Sequence, residues 1–117
     1  MGGGGRTISI GSCLAERVPT PGLTRYAMSK SALTGLTKGL ARDLEPCGIT
    51  ANLIHPGPID TDTNPADGPG ADGERSLIAL GRFGGGEDIA AMVAPLAGEG
   101  GRFVTGAAIA VDGGYAA

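Results

Sequence analysis

The sequence predicts an α/β fold built on a parallel sheet. Three observations carry that prediction: β-branched runs recur along the chain, a long helical stretch separates the first two, and a second helical stretch precedes the third. A parallel strand must return across a sheet face, so alternating strands and helices are the mark of parallel βα units. At 117 residues the chain falls within one domain. Its 41% hydrophobic and 18% charged residues suit a modest core and a folded state, not a disordered chain.

The first element is "RTISIGS", Arg6–Ser12, which alternates apolar and polar residues and reads as a strand. "CLAERVPTPGL" follows as a loop, broken by Pro19 and Pro21. Residues from Thr24 to about Glu45 read as one helix, with Thr24 as the expected N-cap and "PCG" at 46–48 as the stop. Projected at about 100° per residue, Tyr26, Lys30, Leu33, Thr37, Leu40 and Leu44 share a stripe. The leucines want a core, so this stripe is expected on the sheet, with Tyr26 and Lys30 at its N-terminal end. The opposite stripe holds Met28, Ala32, Gly35 and Gly39. Each helical glycine costs about 1 kcal/mol, a cost that a closely packed neighbouring helix would explain.

"ITANLIHPGPI", Ile49–Ile59, reads as the second strand, running into a Pro-Gly turn. Residues 60–75 are rich in Asp, Pro and Gly and are expected to form a mobile loop, with a short helix around Glu74–Ala79. A helix should begin near Glu87, where acidic residues suit the positive end of the dipole, and kink or end early at Pro95. Ala107–Val111 closes the set as the third strand, followed by a glycine turn.

Composition removes several function classes. A net charge of −3, with no basic stripe around Phe83, Phe103 or Tyr115, gives no electrostatic footprint for nucleic acid. No apolar run approaches membrane-spanning length, and Arg6 stands where a myristoylation signal needs Ser or Thr. Cys13 and Cys47 are isolated and the chain has one histidine, so neither a metal site nor a disulfide framework is expected. Two reduced thiols point to the cytoplasm. "GPGADG", Gly68–Gly73, matches G-x-G-x-x-G formally but lacks the preceding strand that a dinucleotide fingerprint requires, and "TGLTKGLA" fails because it lies inside a helix.

The chemistry concentrates at "YAMSK". A resting phenol gives up its proton only near pH 10, about three units above neutrality, so a tyrosine that shuttles protons needs cationic help. An ammonium at i+4 lies on the same helical face and can supply it. Ser12 ends the first strand, where its hydroxyl can donate to a carbonyl oxygen. "HPGPIDT", His55–Thr61, ends the neighbouring strand. Ligand sites in open α/β sheets lie outside the carboxyl ends of strands, and both features sit there. His55 itself reads as structural.

Taken together, "SIGS", "YAMSK", "GITANLIHPGPIDT" and "LGRFGGGEDIAAMVAPLAGEGGRFVTGAAIAVDGG" resemble the C-terminal half of a single-domain short-chain dehydrogenase/reductase, of the kind that includes 3-oxoacyl-carrier-protein reductases. The resemblance covers residues 5 to 116 in order. It implies the last three strands of a Rossmann-like doubly wound parallel sheet with their helices, filling residues 1–117. It implies an NAD(P)-dependent oxidoreductase acting on a ketone or secondary alcohol, with the choice between NAD and NADP not readable, and a homo-oligomer. Tyr26 would donate the proton to the reduced carbonyl, or accept it from an alcohol. Lys30 would assist Tyr26 and bond the nicotinamide ribose, and Ser12 would polarise the substrate carbonyl. Pro56, Gly57 and Ile59 would pass along the nicotinamide, the Ile59 backbone meeting its carboxamide, and Thr61 would reach the carboxamide or pyrophosphate. Residues 62–80 would form the substrate lid. The interval from Ser12 to Tyr26 is one residue longer than the family's usual spacing, which the intervening loop can absorb, and Pro95 stands where a bulky apolar residue is common.

The family's glycine-rich phosphate loop, its ribose selector, its "NAG" segment and its catalytic asparagine have no counterpart in these residues, so the chain resembles a truncation, an internal start or a mis-called gene. The first strand should then present a bare edge where a further strand belongs, inviting association. Cofactor affinity should be weak without the helix N-terminus that binds pyrophosphate. Two alternatives remain beside the oxidoreductase: a catalytically silent fragment or association module, and a sugar-nucleotide epimerase sharing the Tyr/Lys pair. The closing "VTGAAIAVDGG" fits the single-domain reductases better than the epimerases.

Overall fold

Thr50–Pro56, the longest of the three strands, becomes the centre of a parallel sheet. In a computed structural model describing residues 4–117, β1 (Arg6–Ile10), β2 (Thr50–Pro56) and β3 (Ala108–Val111) lie in the order β1-β2-β3. Register runs Arg6 with Thr50 through Ile10 with Ile54, and Leu53 with Ala108 through Pro56 with Val111. Residues Thr50 to His55 are all buried, as expected of a parallel strand covered on both faces. The helices are α1 (Thr24–Asp43), α2 (Ala71–Leu77) and α3 (Gly86–Ala97). α1 packs on β2, while α3 packs against β1 and β3.

Several boundaries differ from the sequence expectation, each for a local reason. β1 stops at Ile10 and β2 at Pro56, leaving Ser12 and Gly57–Ile59 outside the ladder. Pro58 has no N–H to extend the pairing. Thr24 is the first helical residue and not the cap: Leu23 occupies the N-cap without a side-chain hydrogen bond. α1 ends after Asp43, and a short 3₁₀ turn then closes at Gly48, whose φ of 67° is the left-handed conformation that glycine adopts freely. α2 begins at Ala71, earlier than expected, behind left-handed Gly70. α3 continues through Pro95 to Ala97, where the Gly98 N–H donates to the Ala94 and Pro95 carbonyls.

The face that α1 buries is built on small residues: Ala27, Thr37 and Ala41 are its buried positions, and Leu33, Leu40 and Leu44 are half-buried. The glycine stripe faces outward. Nothing lies within 4 Å of a Cβ built at Gly35 or Gly39, and Met28 and Leu36 are exposed. Among the described residues, then, no helix supplies the close packing expected there.

Side chains hold the long connections. The Asn52 amide, 1% exposed, donates to the Val104 carbonyl (2.8 Å) and accepts from the Ala107 N–H (3.1 Å), fixing the entry to β3. The segment expected to be a mobile loop is hydrogen-bonded along its length. Asp60 accepts from the Ala66 N–H (2.8 Å), Asn64 donates to Glu74 (3.2 Å), and Arg75 bonds Asp72 and the Ala66 carbonyl. A cluster of Cys13, Ala71, Ile78, Phe83 and Tyr115 joins the loop after β1 to α2 and the C-terminal turn. "GPGADG" does open α2, but it follows a loop, and β2 ends well upstream at Pro56. Among the described residues no helix is long and apolar enough to cross a membrane.

Candidate active site

Ser12 sits just past the carboxyl end of β1 in extended backbone, and three hydrogen bonds hold it there. The Gly11 N–H donates to the Ile54 carbonyl (2.7 Å), the Ser12 N–H to His55 Nδ1 (3.2 Å), and the Leu14 N–H to Ser12 Oγ (3.2 Å). The last bond makes Ser12 the cap of the 3₁₀ turn Cys13–Ala15. It also occupies one Oγ lone pair, and a hydroxyl that accepts in this way still has its proton to donate.

Tyr26 and Lys30 fall in the first turns of α1, and the Lys30 Nζ stands 5.4 Å from the centroid of the Tyr26 ring. A cation at that distance lies within reach of the ring's electrostatic field. Tyr26 is 46% exposed and lines an open cleft of about 630 Å³ with Gly22, Thr24, Arg25 and Ser29. The turn after Ser12 packs on α1, and Ser31 Oγ donates to the Ala15 carbonyl (3.4 Å), so all three residues belong to one end of the sheet.

At the mouth of β2 the sequence-derived residues separate. Gly57 donates to the Val111 carbonyl (3.0 Å) and backs onto Asp112: a Cβ there would lie 2.7 Å from Asp112 Cα. Ile59 forms a parallel bridge with Gly84 in which the Pro58 carbonyl and the Asp60 N–H make the bonds. Among the described residues the Ile59 N–H and carbonyl make no hydrogen bond, and face away from Gly84. The Thr61 hydroxyl is exposed and accepts from the Asn64 N–H (3.1 Å) within its own turn. Pro58 and Ile59 line a separate cavity of about 480 Å³ with Arg82, Asp88, Val111 and Asp112, which shares no lining residue with the Tyr26 cleft. Pro56, half-buried at the end of β2, lines neither space.

Two residues that shape the site escaped the sequence reading. Gly11 leaves room for His55: a Cβ there would lie 2.7 Å from Nδ1. A glycine at a strand end is a recognisable sign of close approach. Asp112 accepts from the Gly114 N–H (2.9 Å) and the Ala116 N–H (3.1 Å), tying the C-terminal turn to β3, as an Asp ahead of a Gly pair can. Beside Ser12, burial and then the Asp112 charge push the Cys13 thiol up to about 11, making it a core residue and not a nucleophile.

The profile of the enoyl-(acyl carrier protein) reductase family matches residues 1–116. A solved structure of a blue fluorescent protein from a metagenomic library, in complex with NADPH, superposes with a TM-score of 0.97 at 62% identity, covering 100% of this chain and 47% of that one. The cyclic-di-GMP-binding biofilm dispersal mediator protein of Escherichia coli K12 is 54% identical over 97% of this chain and 48% of its own length. The 3-oxoacyl-[acyl-carrier-protein] reductase of Pseudomonas aeruginosa is 44% identical over 94% of this chain and 44% of its own. The chain thus spans about half the length of the curated relatives it matches.

Proposed function

The chain belongs to the short-chain dehydrogenase/reductase family, and from that premise we propose that it carries the proton-transfer side of an NAD(P)-dependent carbonyl reduction. The observation that supports this most directly is the Tyr26–Lys30 pairing at the same sheet end as a serine whose hydroxyl has a proton to donate. Tyr26 gives its phenolic proton to the carbonyl oxygen as negative charge builds there. Lys30 supplies the adjacent positive charge, and Ser12 donates a hydrogen bond to the same oxygen.

The residues present fit a nicotinamide. The unengaged Ile59 N–H and carbonyl offer one donor and one acceptor, which is what a primary carboxamide needs. Lys30 would bond the ribose, Pro56 and Gly57 would line the ring's path, and exposed Thr61 would bond the carboxamide or pyrophosphate. The bound nicotinamide supplies the hydride; the chain's residues orient the carbonyl and move the proton. NAD and NADP are both open to this chain, and the relative solved with NADPH marks the phosphorylated form as the first to try. We further propose self-association through the outer edge of β1, which pairs with no further strand among the described residues, or through the outward face of α1; Ile10, Met28 and Leu36 are exposed.

The 117-residue chain alone is expected not to turn over NADPH, since its sequence contains no strand–glycine-loop–helix cradle for pyrophosphate. The test therefore joins it to the N-terminal half of the Escherichia coli relative and follows carbonyl-dependent NADPH oxidation. Tyr26→Phe removes only the hydroxyl and should lower kcat by about 10²–10⁴-fold while NADPH still binds. Undiminished turnover in Tyr26→Phe overturns the assignment. A titration of the 117-residue chain with cyclic-di-GMP asks whether the ligand in that relative's name also binds here.

A further inference from the structure

We propose that His55 is a positioning residue for Ser12, holding the serine through its backbone amide. The proposal rests on the reading of Ser12 as the carbonyl-polarising hydroxyl and extends it to a residue one strand away.

His55 is fully buried at the end of β2, with 0% exposure. Its Nδ1 accepts the Ser12 N–H at 3.2 Å. A ring nitrogen that accepts carries a lone pair, so the ring is in the tautomer with its proton on Nε2. That Nε2 has no hydrogen-bond partner among the described residues and lies 3.6 Å from Glu16 Oε1. The imidazole therefore sits between two points of a single loop, the amide of Ser12 and the carboxylate of Glu16.

Gly11 fixes the ring in this place. A Cβ at Gly11 would lie 2.7 Å from Nδ1 and 3.0 Å from Cε1, so the imidazole fills the space a side chain would take. The same glycine donates to Ile54, the residue before His55. Consecutive residues of the β1 exit are thus bonded to consecutive residues of β2, first through backbone and then through the ring. This second bond carries the pairing of β1 with β2 past the ladder, onto the residue read as the carbonyl-polarising serine. Without it, the Ser12 N–H would lose its partner, and the serine would be held only within its own turn, by the Ala15 N–H on its carbonyl and the Leu14 N–H on its Oγ.

A long-range proton–nitrogen NMR spectrum of the chain should find the His55 proton on Nε2. In His55→Leu the Ser12 amide should exchange with solvent about tenfold faster, the worth of one hydrogen bond, with the Leu53 amide as the stability reference. Asn is shorter but places a side-chain oxygen near the position of Nδ1, so His55→Asn should bring the Ser12 rate back to within about threefold of wild type. A proton on Nδ1, an unchanged Ser12 rate in the Leu variant, or an Asn variant as fast as Leu would each overturn the proposal. If His55→Leu does not fold, the wild-type tautomer and the Asn variant decide. Failure of the catalytic reading shows separately, as turnover that survives Ser12→Ala in the joined protein while these NMR results stand.

Discussion

Gly57→Ala tests whether the Pro-Gly turn owes its glycine to close packing. The added methyl would meet Asp112 at 2.7 Å from both Cα and Cβ and 3.0 Å from its carbonyl oxygen. Those atoms cannot drift away cheaply. The Asp112 carboxylate is bonded to the Gly114 and Ala116 amides, its carbonyl accepts from Tyr115, and Gly57 itself is bonded to Val111. Overpacking of this kind costs about 1–3 kcal/mol. With an unfolding entropy of about 2.1 cal/mol/K per residue, the 117-residue chain changes its Tm by about 4 °C per kcal/mol. The substitution should therefore lower Tm by about 4–12 °C in a thermal melt followed by circular dichroism. Gly73→Ala is the matched control, because that glycine lies inside α2 with nothing within 4 Å of its Cβ position. It should raise Tm by about 4 °C, through helix propensity alone. A Gly57→Ala protein that melts with or above wild type would refute the packing argument.

The two cysteines should differ sharply. Cys47 is exposed and should alkylate at neutral pH, whereas Cys13, buried and pushed up to about 11, should react only after unfolding. Because the folded pKa lies above the ordinary 9.0, the Cys13 contribution to stability is complete below that pH and is lost as pH rises through about 11. Denaturant melts across that window should show the decline, and Cys13→Ala should flatten it in part. Tyr115, whose phenol burial also raises, should keep some of the slope. Self-association should appear in sedimentation at micromolar concentration as a species heavier than one chain, and Ile10→Lys or Leu36→Lys should shift it toward monomer. A single monomeric boundary for the wild type counts against that proposal.

Local chemistry was legible in the residue order. Three β-branched runs separated by helical periods determined the α/β class, and the strands lie within a few residues of their expected places. Tyr26 and Lys30 meet because positions i and i+4 share a helix face whatever surrounds them. The same local logic placed Thr37 on the buried stripe but missed Ala27 and Ala41 beside it. Its leucines are only half-covered, and the contact surface is built on Ala27, Thr37 and Ala41, because small side chains let the helix approach β2.

What the tertiary structure alone decided lies between residues far apart in the chain. Ser12 meets His55 across 43 positions, and Gly57 closes on Asp112. Ile59 keeps its amide and carbonyl free because Gly84 bonds its neighbours instead. None of these pairings has a period to read. They follow from the register in which three parallel strands align, and register is set by how distant side chains fit and which distant backbone groups bond, quantities that no local window of sequence contains.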